Sequence, residues 1–529
     1  MNHATTVWQA NRFGVMTGAE ALVETSLAAG VDVCFANPGT TEMPLVAALD
    51  SVPGTRAVLG LFEGVCTGAA DGYARIAGRP AMTLLHLGPG FANGIANLHN
   101  ARRAHSPVFN VVGDHASWHL VHDAPLTSDI VSLARPVSGW VGTAASGADL
   151  ARLTARAIGA AGAAPGRGAT LIAPADFQQA VLKDPVDVEL PGPPRRREVA
   201  AEAVDALAKR LRAGERAVLL LGGAALDERG QRAAARIAAA TGAVLYSETF
   251  PAAAERGGGL PDLDRLPYFP EKAVEALAGA RLVLLAGALE PVSYFGYEGI
   301  PSLLAPPGTV EVLSTPEEDG AHALEVLADT LGAPEPPSPA RPDDAGLPDG
   351  ALTPRSVGHI VSALLPEHAV VSVEGGTCGY PFFTASSRAA RHTTLTNTGG
   401  AIGQGLPAAV GAAIAAPGRK VVALQSDGSA QYTIQSLWTM AREQLPVITL
   451  IASNRVYNVL RTELDRHGQS FPGPNAMALT SLDAPAFDWP SLARAYGVPG
   501  TRVETGEALR RALGRALAAD GPQLIEMAL

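Results

Sequence analysis

The sequence predicts an α/β protein made of three doubly wound α/β domains with mainly parallel sheets. Short, almost wholly apolar runs alternate with longer amphipathic stretches along all 529 residues. Strands that are apolar on both faces and alternate with helices are typical of parallel sheets covered by helices on both sides. Two stretches rich in proline and charge, 185–199 and 333–350, read as linkers and divide the chain into thirds.

The elements of this fold follow in order along the chain. Apolar runs predict buried strands in every third, and the clearest of them lie at 31–36, 56–62, 81–87, 107–113, 217–223, 282–287, 368–374, 420–426 and 447–453. Amphipathic stretches at 63–76, 91–104 and 433–443 predict helices between them. We therefore expect domains over residues 1–184, 200–332 and 351–529.

Composition and charge exclude several classes of protein. The apolar runs are shorter than the roughly 18 residues that a membrane span needs. A net charge of −11 argues against nucleic acid or an anionic membrane as the main partner. Three cysteines cannot form a disulfide framework, and the N-terminal segment has no basic stretch followed by an apolar run. We therefore expect a cytoplasmic protein without a signal peptide.

The most informative pattern lies in the last third. The strand at 420–426 is followed by Asp427, Gly428 and Ser429, and the strand at 447–453 is followed by Asn454. A glycine-containing strand-to-helix turn offers backbone N–H groups that suit a diphosphate. Carboxylate and amide oxygens at neighbouring strand ends, together with phosphate oxygens, describe a Mg²⁺ site. The alternative for this Asp-Gly-Ser sequence alone is a simple turn or helix cap.

A second pattern lies in the first third. Glu63 follows a predicted strand and opens a predicted helix, and the sequence Ala-Asp-Gly-Tyr-Ala-Arg comes within that helix at 70–75. An acid at this place can simply be favourable at the positive end of the helix dipole. The two patterns together point to more than local capping.

The chain resembles, over nearly its full length, thiamine-diphosphate-dependent enzymes of the acetolactate synthase, benzoylformate decarboxylase and pyruvate decarboxylase group. The segment 426–454 is similar to that family's Gly-Asp-Gly-Ser and Asn-Asn motif, with Ser426 and Ser453 in place of the first glycine and first asparagine. The resemblance implies that Asp427, Asn454 and the Val456 carbonyl hold Mg²⁺. It also implies that Glu63 hydrogen-bonds the aminopyrimidine ring of the cofactor.

Other segments match in the same order. The loop 35–44, which contains Thr40, resembles the family's substrate loop, and 374–380 places Thr377 as a diphosphate contact beside Gly428 and Ser429. In the segment 399–415, the resemblance implies that the Gly400 carbonyl accepts from the cofactor's amino group and that Ile402 wedges the cofactor into its bent shape.

Histidines bear on the reaction. His86 ends a predicted strand and corresponds to a histidine that benzoylformate decarboxylases use near the substrate. His115, His119 and His122 have helix-like spacing, and His115 and His122 are candidates to reach the pocket, as a histidine pair does in pyruvate decarboxylases. A metal site on these three is the less favoured interpretation, since a solvated or substrate-loop face explains them better.

The resemblance implies decarboxylation of a 2-oxo acid with transfer of the acyl carbanion to a second carbonyl compound, as in acetolactate synthase. The alternative is a decarboxylase that releases an aldehyde, which His86 favours. A catalytically silent cofactor-binding subunit is the third hypothesis, motivated by Ser426 and Ser453. The family further implies a homodimer or homotetramer with shared active sites. FAD is less expected than not, because 222–230 lacks a GxGxxG loop. Separately, the segment 289–299 has Tyr294 and Phe295 where benzoylformate decarboxylases have a second histidine, which argues against a simple assignment to those decarboxylases.

Overall fold

A computed structural model of the chain describes residues 7–10, 14–336, 346–469 and 473–529. Three mainly parallel sheets lie in series, which confirms the predicted fold class. Half of the second predicted linker, residues 337–345, lies outside the described residues. Within the described ranges, no helix combines the length and the apolar character that crossing a membrane requires.

The first third folds around a six-stranded parallel sheet. The strands of this third, four of which form two small separate sheets, are β1 (Val7–Ala10), β2 (Met16–Thr17), β3 (Val33–Asn37), β4 (Arg56–Leu59), β5 (Ala81–His86), β6 (Val108–Asp114), β7 (Trp140–Thr143), β8 (Gly168–Pro174), β9 (Val181–Leu182) and β10 (Val186–Glu189). Its helices are α1 (Gly18–Ala28), α2 (Met43–Ser51), α3 (Glu63–Ala77), α4 (Leu87–Arg103), α5 (Ile130–Ala134), α6 (Gly147–Gly162) and α7 (Ala175–Gln179), with 3-10 turns at Thr40–Glu42 and Leu120–His122. The sheet order is β4-β3-β5-β6-β8-β7.

One part of the predicted first linker is structured. β10 pairs antiparallel with β1, and the alternating residues Val186 and Val188 are buried. Because side chains alternate between the two faces of a strand, these two valines cover one apolar face together. The residues that begin the linker 185–199 therefore pack against the first third.

The central third contains a five-stranded parallel sheet. The strands of this region are β11 (Ala217–Leu221), β12 (Val244–Ser247), β13 (Ala253–Arg256), β14 (Asp264–Arg265), β15 (Leu282–Ala286) and β16 (Val310–Ser314). Its helices are α8 (Ala201–Arg212), α9 (Glu228–Thr241), α10 (Pro270–Leu277) and α11 (Gly320–Leu331), with a 3-10 turn at Gly223–Leu226. The sheet order is β14-β12-β11-β15-β16, and β13 leaves this sheet.

The last third contains a seven-stranded sheet. Its own strands are β17 (Ala369–Val373), β18 (His392–Thr396), β19 (Val421–Ser426), β20 (Val447–Ser453), β21 (Gly500–Val503) and β22 (Gln523–Ala528). Its helices are α12 (Pro354–Leu364), α13 (Gly376–Ser386), α14 (Gly405–Ala415), α15 (Asp427–Ala430), α16 (Ser436–Arg442), α17 (Asn458–Arg466), α18 (Pro474–Thr480), α19 (Trp489–Ala495) and α20 (Gly506–Ala518), with a 3-10 turn at Gln431–Thr433. The order is β13-β18-β17-β19-β20-β22-β21, in which only the pair β13–β18 is antiparallel.

The first and last thirds pack directly on each other through α3 and α14. A Cβ on Gly72 would lie 2.2 Å from the Ala408 carbonyl oxygen, so glycine permits this close helix contact. The buried ion pair between Arg75 and Asp71 strengthens the joint, since Arg75 also donates to the Thr396 carbonyl at 2.7 Å. The helix that begins at Glu63 is thereby fixed against the last third.

Candidate active site

The ends of β19 and β20 bring Asp427 and Asn454 together, as the sequence predicts. The two strands are parallel neighbours, so their carboxyl ends meet at one edge of the sheet. The backbone N–H of Arg455 donates to Asp427 Oδ2 at 2.6 Å, and that of Gly428 donates to Oδ1 at 2.9 Å. Burial raises the pKa of the Asp427 carboxyl, and no cation of the described residues forms an ion pair with it. A buried carboxylate without a cation is suited to bind a metal ion.

Asn454 and Thr377 complete this crevice. Asn454 Nδ2 donates to Thr377 Oγ1 at 3.3 Å, and the Val456 N–H donates to Asn454 Oδ1 at 3.1 Å. Thr377 lies in the first turn of α13, so its hydroxyl and the free N–H groups of that helix end face the same crevice. The structure thus brings together hard oxygen donors and backbone N–H groups, a set that fits Mg²⁺ and a diphosphate.

The turn after β19 tolerates its unusual first residue. Ser426 has φ −108° and ψ 156°, an extended conformation open to every residue, so serine fits here without backbone strain. Gly428 is different, because a Cβ there would lie 2.3 Å from the Tyr457 ring. Ser429 is nearly buried, and its hydroxyl donates to the Ser426 carbonyl at 3.2 Å.

The segment around Gly400 and Ile402 is held from two sides. Gly400 has φ +77°, a conformation that favours glycine, and its N–H donates to Asn397 Oδ1 at 2.9 Å. The Glu374 carboxylate accepts from the N–H groups of Gly403 and Gly405 at 2.5 and 2.6 Å. Ile402 itself is 37% exposed.

Glu63 begins α3, as the sequence predicts, and three residues separate it from the end of β4. Its side chain is almost buried, and Asn93 Nδ2 donates to Glu63 Oε2 at 3.0 Å. A Cβ on Gly90 would lie 3.1 Å from Glu63 Oε1, so the carboxyl is closely surrounded by the start of α4. Asn93 could not be recognised from the sequence as a partner of Glu63, because the contact depends on how α3 and α4 pack.

His86 contacts a buried carboxyl group that the sequence did not indicate. His86 Nδ1 lies 2.8 Å from Glu42 Oε2, and Glu42 is fully buried. The Gly39 N–H donates to the same oxygen at 2.7 Å, and Thr41 Oγ1 donates to Glu42 Oε1 at 2.5 Å. A Cβ on Gly39 would lie 2.3 Å from the His86 ring, so the glycine makes room for it. In the sequence, Glu42 stands out only as an acid three residues after Gly39 of the Asn-Pro-Gly loop, which does not identify its partner.

The expected substrate contact Thr40 is exposed at the start of the 3-10 turn. Its neighbour Thr41, rather than Thr40, approaches His86, with Oγ1 3.3 Å from Nδ1. The structure therefore does not join Thr40 to the His86–Glu42 pair. Its exposed position on the same loop leaves it at the rim of this edge of the sheet.

The other candidate histidines differ from each other in environment. His115 follows β6, next to β5 and His86, and its Nε2 is buried without a hydrogen-bond partner among the described residues. His122 is exposed in the turn Leu120–His122. The rings of His115 and His119 are 5.5 Å apart, but no group of three His, Cys, Asp or Glu within the described residues could hold a metal ion.

The carboxyl edge of the central sheet faces a large cleft of about 1660 Å³ against the first third. Glu248, which follows β12, lines it, and burial raises the pKa of this carboxyl to about 7. Tyr294 also lines the cleft, and a Cβ on Gly400 would lie 2.7 Å from the Tyr294 hydroxyl. Tyr294 is thus the aromatic side chain that joins the central third to the Gly400 segment.

Comparisons with known proteins agree with this geometry. Residues 16–133 match the N-terminal TPP binding domain of thiamine pyrophosphate enzymes, and residues 376–527 match the C-terminal TPP binding domain. A protein of Mycobacterium tuberculosis whose name, acetolactate synthase large subunit IlvX, is a provisional assignment is 51% identical over 97% of this chain and 99% of its own. Benzoylformate decarboxylase of Pseudomonas aeruginosa is 30% identical over 94% of this chain and 96% of its own.

The solved structures include close neighbours of the same kind. The thiamine diphosphate-dependent 4-hydroxybenzoylformate decarboxylase of Rhodococcus jostii superposes with a TM-score of 0.81 and 26% identity, over 97% of this chain and 98% of that chain. The two thiamine-binding regions and the full-length relatives lead to one assignment. The chain belongs to the thiamine pyrophosphate (thiamine diphosphate) enzyme family.

Proposed function

We propose that the protein is a thiamine-diphosphate-dependent enzyme that decarboxylates a 2-oxo acid and transfers the acyl group to a second carbonyl compound. The observation that carries this proposal is the 51% identity, over 97% of the chain, to the relative named for acetolactate synthase. When bound, the thiazolium ring supplies the nucleophilic carbon and the electron sink that decarboxylation needs. The chain's own residues bind, orient and move protons.

The crevice at the end of the last sheet is proposed to hold the charged end of the cofactor. Asp427, Asn454 and the Val456 carbonyl would bind Mg²⁺, since they offer the oxygen ligands that this ion prefers. The carboxylate of Asp427 is buried and forms no ion pair with a cation in the described part of the chain, which supports this role. Thr377 would contact the diphosphate through its hydroxyl, and Gly428 and Ser429 through the turn after β19.

The pyrimidine end is proposed to lie between Glu63 and the Gly400 segment. Glu63 would share a proton with a ring nitrogen, and the hydrogen bond from Asn93 to Oε2 leaves Oε1 for this purpose. The Gly400 carbonyl would accept from the amino group, and Ile402, now 37% exposed, would pack against the cofactor.

The His86–Glu42 pair, at the carboxyl end of β5 in the first sheet, is proposed to act on the substrate. The buried Glu42 carboxylate binds His86 through Nδ1, which leaves Nε2 to face a substrate carbonyl or carboxylate and to move a proton there. His115 is the second candidate, because it follows β6, the neighbour of the strand that ends at His86, and its Nε2 has no hydrogen-bond partner among the described residues. His122 and Thr40 would contribute from the exposed rim.

Product analysis tests the reaction. The loaded enzyme would be incubated with pyruvate and with larger 2-oxo acids, and acyloin or acetohydroxy acid products would be separated from aldehydes. Ligated products are expected. Release of aldehyde alone would contradict the proposed transfer and would favour the second candidate, a non-oxidative decarboxylase. The His86–Glu42 pair and the two benzoylformate decarboxylase relatives support that second candidate.

A catalytically silent cofactor-binding subunit is the remaining alternative from the sequence. The ordinary backbone at Ser426 removes part of its motivation. Calorimetry with thiamine diphosphate and Mg²⁺, together with turnover of wild type and Glu63→Gln, separates the cases. Binding without turnover in both proteins would favour the silent subunit.

Shared active sites in a homodimer or homotetramer are part of the proposal. Exposed apolar side chains lie beside both halves of the site, among them Leu61 next to Glu63 and Tyr432 next to Ser429. Such side chains are expected to be covered by a second copy. A mixture of Glu63→Gln and Asp427→Asn chains tests this, because a site that takes one residue from each chain is intact at about a quarter of positions after random exchange. No recovery of activity would indicate sites within single chains.

Two further expectations concern the cofactor and the cell. FAD is less expected than not in the central cleft, and a visible spectrum of the purified protein would show a bound flavin directly. All three cysteines are buried and unpaired, which supports the proposed cytoplasmic, reducing location.

A further inference from the structure

Asn100 holds the main chain of the segment 399–403 at Ala401. The Ala401 N–H donates to Asn100 Oδ1 at 3.2 Å, and Asn100 Nδ2 donates to the Ala401 carbonyl at 2.8 Å. Asn100 is fully buried on α4, whereas Ala401 lies in the last third, 301 positions away along the chain. One amide of the first third therefore binds both polar groups of the main-chain residue that follows Gly400.

The first of these two bonds fixes the direction of the Gly400 carbonyl. That carbonyl and the Ala401 N–H belong to one planar trans peptide group, so they point in nearly opposite directions. Because the N–H points at Asn100 Oδ1, the carbonyl oxygen points away from Asn100. The two flanking peptide groups are held as well, since Asn397 accepts from the Gly400 N–H and donates to the Ala401 carbonyl, both at 2.9 Å.

The local sequence leaves the direction of this carbonyl open. Gly400 has φ +77° and Gly403 has φ +97°, a region that glycine enters without a steric penalty. Glycine adopts negative φ as readily, so the peptide group between Gly400 and Ala401 can turn over without a clash at a Cβ. Ordering such a segment costs conformational entropy, which contacts from outside must offset. Asn100 supplies these contacts at the peptide group in question.

The Gly400 carbonyl is itself left free to bind a ligand. The carbonyls on either side are used: that of Gly399 lies 3.1 Å from His99 Nε2, and that of Ala401 accepts from two side-chain amides. In the part of the chain that the structure describes, no donor forms a hydrogen bond with the Gly400 carbonyl. Gly400 is also exposed, so the free acceptor is the one that the peptide geometry directs away from Asn100.

Asn97, one turn earlier on α4, keeps the Asn100 amide in one orientation. Asn100 Nδ2 also donates to Asn97 Oδ1 at 3.1 Å, and Asn97 Nδ2 donates to the Gly64 carbonyl at 2.7 Å. Both hydrogens and the oxygen of the Asn100 amide are thus engaged, as buried polar groups normally are. The amide cannot turn over without breaking its bonds to Asn97 and to both sides of Ala401.

Asn110 shows what a buried asparagine with a purely structural part looks like. It is fully buried in β6, where Oδ1 accepts from the Thr83 hydroxyl at 2.8 Å and Nδ2 donates to the Thr170 hydroxyl at 3.2 Å. Its partners are side chains of β5 and β8, the neighbouring strands of the same sheet. Asn100 is equally buried, yet it binds the main chain of a segment in another third, beside a free carbonyl.

We infer that Asn100 is a positioning residue of the cofactor site, which directs the Gly400 carbonyl toward the amino group of the cofactor's pyrimidine before the cofactor binds. The bond from the Ala401 N–H sets the orientation of the carbonyl, and the bond to the Ala401 carbonyl keeps the peptide group from turning over. A carbonyl that is already oriented reduces the entropy lost when the cofactor binds. This inference rests on the proposed function for the identity of the ligand.

Hydrogen exchange of the cofactor-free protein tests whether Asn100 holds this peptide group. Exchange of the Ala401 N–H would be followed by mass spectrometry of peptides that cover 397–405. Asn100→Ala is expected to speed this exchange by about 10-fold, because the amide loses the acceptor that protects it. Asn110→Ala, the matched control, removes an equally buried amide and should leave exchange in this segment unchanged. Asn100→Asp keeps an oxygen that accepts from the Ala401 N–H, so an intermediate rate is expected.

Two forms of the cofactor test the pairing of the carbonyl with an amino group. Calorimetry with Mg²⁺ would compare thiamine diphosphate with oxythiamine diphosphate, in which an oxygen replaces the amino group. The wild type is expected to bind thiamine diphosphate more tightly, because the oxygen cannot donate to the Gly400 carbonyl. Asn100→Ala is expected to lower the ratio of the two affinities by about 3- to 10-fold, as loss of one oriented hydrogen bond predicts. Asn110→Ala should keep the wild-type ratio, which separates positioning from loss of packing.

These measurements distinguish failure of the inference from failure of the proposed function. A wild type that binds no thiamine diphosphate overturns the proposed function, and the role of Asn100 toward the cofactor is lost with it. If the wild type binds thiamine diphosphate and Asn100→Ala has the same affinity ratio, the inference alone is overturned. Unchanged exchange of Ala401 in Asn100→Ala overturns it as well. If Asn100→Ala does not fold, Asn100→Asp, which has nearly the same size and shape, carries both measurements, and wild-type values in it would overturn the inference.

Discussion

The carboxyl edges of the last sheet and of the central sheet look alike in outline but differ in what they gather. In the last sheet, the ends of β19 and β20 bring Asp427 to the backbone of Arg455 and to Asn454, and α13 adds Thr377. In the central sheet, Glu248 at the end of β12 faces an open cleft, with burial raising its pKa to about 7. Both are mainly parallel sheets with glycine turns after a central strand, so the architecture alone does not make a cofactor site.

The two sheet edges differ in whether donors from neighbouring strands meet at one point. A ligand with several charges is bound where oxygen donors and N–H groups from neighbouring strands reach one point. The last sheet meets this condition through residues 27 positions apart along the chain, whereas Glu248 at the central sheet accepts the backbone N–H of Gly223. The predictions below separate these two edges, and the first third serves as the reference for catalysis.

Glu63→Gln is expected to have the largest effect. It removes the carboxyl that would share a proton with the cofactor, and loss of a positioned acid typically costs about 10²- to 10⁴-fold in rate. Thiamine diphosphate affinity should change little, because the charged end of the cofactor binds at the other sheet. Steady-state turnover and calorimetry on the same preparation measure both quantities. Unchanged turnover would remove Glu63 from the site.

Asp427→Asn should weaken Mg²⁺-dependent thiamine diphosphate binding by about 100-fold or more, because a hard anionic ligand becomes neutral. Calorimetry at several Mg²⁺ concentrations measures the loss. Glu248→Gln is the matched control at the central sheet, and it should bind the cofactor as the wild type does. Equal losses in both variants would contradict the distinction between the two edges.

Glu42→Gln is expected to reduce kcat by about 10-fold, since a partner that orients a functional histidine typically contributes that much. His86→Ala should have an effect at least as large, and the double variant should resemble His86→Ala because Glu42 acts through His86. Additive losses in the double variant would show that Glu42 acts on its own.

Glu248→Gln should have the smallest effect on turnover and a distinct effect on stability. The carboxyl pKa is about 7 in the folded protein against 4.5 for the free group, so the folded state binds the proton more tightly. The free energy of unfolding of the wild type therefore falls as pH rises from about 4.5 to 7, by on the order of 1 kcal/mol for a partly exposed group. The variant should lack this decrease, as denaturant unfolding at pH 5 and pH 8 would show.

Long-range contacts explain what the sequence could not predict. Glu42 and His86 are 44 positions apart and meet because β3 and β5 are neighbours in the sheet, and no local pattern marks Glu42 as the partner. β13 leaves the central sheet for the edge of the last sheet, although its residues lie within the predicted central third. The Val-Asp-Val alternation of β10 was visible in the sequence, but only its pairing with β1 shows that it is covered.

The sequence by itself determined the α/β class, the family and the positions of the main strands along the chain. It also placed Glu63, His86, Asp427 and Asn454 at or shortly after the ends of strands. It could do so because apolar runs and glycine turns are local, and because parallel strands present their carboxyl ends at one edge. Only the tertiary structure decided which side chains meet there. The Glu42 partner of His86 and the contact of Tyr294 with Gly400 both depend on the packing of segments that are far apart along the chain.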